Sequence, residues 1–136
     1  MTIKTWVITD TKSEDHLESL VVTSNNLSDT PADFSIIKKT LRGGLSAGVE
    51  VLQVNNGKLQ FDLLLTRGMS LAAATIGGMK FGWHSPVRGP VHPKFVNLHE
   101  PSGLGWLDGF DEMMVRCGLE SNGAPEFDSE TNNLKY

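Results

Sequence analysis

The chain has 136 residues, 39% of them hydrophobic and 21% charged, which leaves room for one domain with a single modest core. A formal charge of −4 provides no basic field for a phosphate backbone, so nucleic acid is not expected as a partner. No stretch approaches the roughly 20 apolar residues of a membrane helix and no basic start precedes an apolar run, so no membrane is expected either, and a cytoplasmic location follows.

Residues 1–33 carry the weakest signals. Segments 3–8 and 20–23 read as strands, and the polar run 24–29 reads as a loop. Thr30, Pro31 and Asp33 have the chemistry of a helix start, and Lys38, Lys39, Arg42 and Gly43 that of a helix end, which predicts a short helix over 31–41. The apolar residues Phe34, Ile36, Ile37 and Leu41 fit a helical stripe only in part, and 34–40 reads equally as a strand.

Segments 49–54 and 59–66 flank Asn55-Asn56-Gly57-Lys58 and predict a hairpin. A second follows, with 71–76 and 79–83 around Gly77-Gly78. In the strand from 59, Leu59, Phe61, Leu63 and Leu65 line one face. Gln60 and Asp62 begin the other, which turns apolar at Leu64.

Over 84–109 glycines and prolines recur too often for regular structure, yet Val87, Val91, Phe95, Val96, Leu98, Leu104 and Trp106 require burial. A long ordered loop of this kind is characteristically functional. Segment 110–119 alternates as a strand would. It ends near Cys117, the sole cysteine, which excludes an internal disulfide and reads as a small buried apolar residue. Beyond Pro125 the chain is polar, and no internal repeat is present.

Several polar groups stand where ligand contacts emerge. Arg67 follows a strand and precedes Gly68, so its fork of donors is aimed either into a cavity or at a surface carboxylate. Arg116 lies in an apolar run and needs a partner such as Asp111, Glu112 or Glu120, or a ligand. Glu120 and Asn122 follow that run, in a stretch that also has the composition of a turn. His84, His92 and His99 match neither a helical i, i+4 pair nor a zinc-type cluster, which argues against a metal. Glu100, Asp108, Asp111 and Glu112 offer carboxylate pairs whose separation sequence cannot fix.

Three segments, TRGM at 66–69, WHSPVRGPVHP at 83–93 and GLGWLDGFDEMMVRCGLESNGAP at 103–125, resemble aldose epimerase-like proteins of the DUF4432 type, in the aldose 1-epimerase (galactose mutarotase-like) superfamily. The resemblance is close over 41–128. It implies a mainly β fold, part of a galactose mutarotase-like β-sandwich (supersandwich) with antiparallel hairpins and at most one or two short helices. It implies one incomplete domain over 1–136, with a variable part at 1–40, a sugar-site portion at 41–128 and a polar end at 129–136, matching the N-terminal portion of the family.

The ligand implied is a monosaccharide, an aldose, held by Arg67, His92, Trp106, Arg116, Glu120 and Asn122. The reaction implied is mutarotation, acid and base catalysis of ring opening, which needs no cofactor. The catalytic histidine and glutamate of the family fall beyond residue 136, so the isolated chain is expected to be inactive. Two alternatives stand beside this: a non-catalytic carbohydrate-binding module, and an interaction fragment that self-associates or pairs with a second chain through unpaired strand edges.

Overall fold

The computed structural model describes residues 3–100, 102–116, 126–131 and 134–135. Its centre is a six-stranded antiparallel sheet in simple sequence order. After a two-residue ladder of β1 (Thr9–Asp10) with β2 (Asp15–His16), the sheet runs through β3 (Leu20–Thr23), β4 (Ser35–Thr40), β5 (Glu50–Asn55), β6 (Leu59–Leu64), β7 (Ser70–Ile76) and β8 (Met79–Gly82). A last short pair joins β9 (Glu126–Phe127) to β10 (Leu134–Lys135). Among the described residues, helical structure consists of 3₁₀ turns of three to five residues.

Both expected hairpins form. In the first, the Asn55 and Asn56 side chains accept hydrogen bonds from the backbone N–H groups of Gly57, Lys58 and Leu59, closing the turn with side chains as well as backbone. The expectation of a helix over 31–41 gives way to β4. Pro31 O accepts from Phe34 N in an isolated turn, and the chain then pairs with β3 on one side and β5 on the other. The cap-like Lys38 is drawn instead into a buried ion pair. At the N-terminus the ladder is continued by Leu17 N donating to Ile8 O at 3.0 Å, but 3–8 does not form the expected strand. The alternating run after Phe110 contributes a single bridge, Met114 with Leu71; its end, including Cys117, lies outside the described residues.

The register sorts the sheet into two faces, because directly paired residues share a side. One face carries an unbroken apolar row across all six strands, Val22–Ile36–Val54–Phe61–Ala74–Phe81. Residues 16–17 lie on this face at the β4 end, where Lys38 Nζ donates to Leu17 O and, at 2.6 Å, to Glu50 Oε1. The row itself is buried at Val22 and open at Phe81, which is 42% exposed.

The opposite face is polar at its middle, where Lys39 donates to Gln53 and Gln53 to Asp62. It becomes apolar at one end, where Val49, Val51 and Leu64 pack with Leu41 and Ala72. The deepest packing in β6 is thus at Leu64, not along Leu59, Phe61 and Leu63. The reason is coverage: the long segment after β8 folds over the Leu64 side. A bulge in β7 opposite Asp62 and Leu63 turns Ala72 toward the same cluster.

Candidate functional site

Segment 83–112 leaves one edge of β7 and returns to it. β8 pairs with Ala73 through Ile76, and where β8 ends, Met114 exchanges two backbone hydrogen bonds of 2.9 Å with Leu71. Between those points the chain reaches across the end of the sheet, where His92 N donates to Leu45 O at 2.7 Å. The loop is therefore pinned at both feet and at its far point.

Arg67 is the hub beneath it. It ends a 3₁₀ turn after β6, and Gly68 and Met69, both at positive φ, then swing the chain into β7. Its Nε donates to Glu112 Oε1, Nη1 to Val91 O at 2.8 Å and Nη2 to Gly109 O. One guanidinium thereby ties three separated parts of the loop to the sheet. Gly109 has to be small for this, since a Cβ there would stand 3.0 Å from Nη1 and 2.8 Å from a Val96 methyl.

Glu112 is fully buried and also accepts from Ser70 Oγ at 3.1 Å and Asp111 N at 3.3 Å. Burial pushes its carboxyl upward, but the hydrogen bond and charge of Arg67 outweigh burial and hold it below the usual glutamate range. Asp111 goes the other way. Burial raises its carboxyl above the usual aspartate range; the Val91 N–H bond of 2.9 Å opposes that, and the neighbouring Glu112 charge adds to it.

Beside this hub lies a cleft of about 510 Å³, whose walls include Trp83, His84, Arg88 and Asp111 over an apolar floor at Leu64 and Ala72. That size suits a small organic ligand. Phe110 supports Trp83 with ring centroids 4.9 Å apart, and Trp106 meets Phe110 edge-on at 5.3 Å. Ser85 Oγ donates to Phe110 O at 2.8 Å, fixing the turn that carries the histidine and arginine.

The residues expected from sequence are distributed unevenly. Arg67 is mostly buried under the loop. His92 follows Val91, an Arg67 acceptor, with its ring against Gly48 and its Nδ1 accepting from Lys94 N at 3.1 Å. Trp106 stands behind Phe110, 38% exposed. Arg116 is exposed. Glu120 and Asn122 lie outside the described residues. Trp83 and Arg88 are not singled out by the sequence as ligand contacts, although the segment 83–93 carries both, and Asp111 enters there only as a partner for Arg116 and as one of four carboxylates. Among the described residues no group of three or more His, Cys, Asp or Glu is placed to hold a metal ion, and no helix is long and apolar enough to cross a membrane.

Residues 46–134 match the family described as Domain of unknown function (DUF4432). A comparison with curated proteins finds no match. Among solved structures, the chain is similar to the crystal structure of a "putative aldose 1-epimerase" from Klebsiella pneumoniae subsp. pneumoniae MGH 78578, with 40% identity and a TM-score of 0.85. That likeness covers 93% of this chain and 33% of the other, so the chain spans about a third of the length of its relative. The sheet is thus part of an aldose epimerase-type β-sandwich, and the chain belongs to the DUF4432 family within that mutarotase-like group.

Proposed function

We propose that this chain forms the carbohydrate-binding portion of an aldose 1-epimerase-like protein that interconverts sugar anomers by acid and base catalysis of ring opening. The observation that carries the reading is the likeness to the Klebsiella structure over nearly all of this chain. The built cleft beside Arg67 and Glu112 supports it. Arg67 serves the site from beneath, holding Val91 and Gly109 in place, while His92 and Trp106 flank the segment it organises. Arg116, Glu120 and Asn122 are proposed as further sugar contacts, Glu120 and Asn122 lying outside the described residues.

Mutarotation requires a base at the anomeric hydroxyl and an acid at the ring oxygen, held on opposite sides of one sugar. On this reading the isolated chain binds a monosaccharide without turning it over. The whole forms one incomplete domain over 1–136 that acts in the cytoplasm with no cofactor. Its open apolar row, ending at Phe81 with exposed Met79 in the adjoining row, favours a second reading as an interaction fragment that pairs with itself or another chain.

Polarimetry on the purified chain with D-glucose and D-galactose checks the main reading. No acceleration over buffer is expected, together with saturable sugar binding by calorimetry. Clear acceleration would overturn the inactivity, and absence of any sugar binding would overturn the carbohydrate assignment itself.

A further inference from the structure

Resting on the carbohydrate reading above, we infer that the sugar ring occupies the cleft between Trp83 and Asp111, with the Trp83 indole as its stacking face and the Asp111 carboxylate accepting from ring hydroxyls. A sugar presents an apolar face of C–H groups and an equator of hydroxyls. Its site accordingly needs an exposed aromatic plane and planar polar groups that are already oriented.

Trp83 meets the first need. It is 44% exposed, yet its position is set from behind by Phe110, which Trp106 in turn abuts. Trp106, the more conspicuous tryptophan in the sequence, is thereby the outer support of the platform. The ring is not free to collapse onto the ligand-side surface, so little ordering is required when a sugar arrives.

Asp111 meets the second. Its Oδ2 is held by the Val91 N–H at 2.9 Å, and its Oδ1 accepts no hydrogen bond among the described residues. The carboxylate is pressed so closely on Gly89 that a Cβ there would lie 2.1 Å from Oδ2. Only glycine permits that approach. Burial and the neighbouring Glu112 charge leave the ionised form short of solvation, a deficit that a hydroxyl donor relieves. Arg88 provides the complementary donor on the same wall. With Glu112 already matched by Arg67, the cleft lining carries Asp111 and Arg88, one charge of each sign, which suits an uncharged sugar better than a phosphorylated one.

Calorimetric titration of the 136-residue chain with D-glucose and D-galactose, in parallel with Asp111→Asn, Trp83→Ala and Gly89→Ala, tests the assignment. Asparagine preserves the shape and the acceptor for Val91 N while removing the charge, so Asp111→Asn is expected to keep the far-ultraviolet spectrum and lose about tenfold or more in affinity. Trp83→Ala is expected to lose several-fold, and Gly89→Ala to weaken binding by displacing the carboxylate. Perturbation of the Trp83 indole N–H resonance by sugar gives a readout that does not depend on any variant folding. If the native chain binds sugar while that resonance and the Asp111→Asn affinity stay unchanged, this cleft is not the site, although the carbohydrate reading survives. If the native chain binds no sugar, both fall together.

Discussion

Arg67 and Glu112 stand 45 residues apart in sequence, and their pairing holds the candidate site together. A buried ion pair gives little net stability over an apolar replacement of both partners, but removing one partner leaves an uncompensated charge at a cost of about 3–5 kcal/mol. Arg67→Met should therefore lower stability by that amount near neutral pH. The sign of the pH dependence follows from the direction in which each carboxyl is displaced. Glu112 is held below its ordinary value when folded, so its contribution is present above the unfolded value and is lost as pH falls through the folded one. Asp111 is raised, so its contribution is present below its unfolded value and is lost as pH rises through the folded one. Removing Arg67 pushes both carboxyls upward. The stability gap between native chain and Arg67→Met should consequently narrow as pH drops below the ordinary carboxylate range. Urea unfolding across that range measures the gap, and one that stays constant would count against the pair as the organising contact.

At the scale of elements, the least obvious connection is the one between the N-terminal ladder and the sheet. Lys38 sits in a row of leucines, Leu20, Leu52, Leu63 and Leu71, and is 1% exposed. Its ammonium is balanced by Glu50 and Leu17 O, and His16 Nε2 stands 3.1 Å from the same Glu50 oxygen. Lys38→Met fits the apolar row but removes the donor to Leu17, so hydrogen exchange over 9–17 should accelerate while β5 and β6 keep their protection. Unchanged exchange over 9–17 would mean that other contacts hold the ladder. This lysine also explains where sequence was misleading. Beside Lys39 and Arg42 it imitates a helix C-terminus, and only the pairing of β4 with two neighbours reveals its use. The hairpins were legible because Asn-Asn-Gly-Lys and Gly-Gly fix their turns locally. The run from Phe110 alternated like a strand, but β8 already occupies the edge of β7 beyond Ala73, which leaves Met114 to pair with Leu71. Arg67 was legible as a strand-end donor. Its partners Val91, Gly109 and Glu112, and the meeting of Trp83 with Asp111 across the cleft, arise from long-range closure that no local pattern encodes.

For the whole molecule, the imbalance between its two faces decides behaviour in solution. One face has the loop 83–112 over its apolar end, whereas the other carries an apolar row that is covered near Val22 and open at β7 and β8. Ile76 is 51% and Met79 64% exposed, next to Phe81 in adjoining rows, and contiguous apolar surface of this kind marks a contact face. The likeness to the Klebsiella structure covers 33% of that chain, and among the described residues the row stays open at Phe81. In isolation the chain should bind a hydrophobic dye and associate increasingly with concentration, as burying apolar surface between copies is favourable by roughly 25 cal/mol per Å². Replacing Met79 and Phe81 together by lysine should suppress both effects with little loss of unfolding stability, because neither side chain belongs to the Val49, Val51 and Leu64 cluster. Light scattering over a concentration series distinguishes the cases. A native chain that is monomeric throughout, or a double-lysine variant that associates equally, would show that this face does not drive contact between copies.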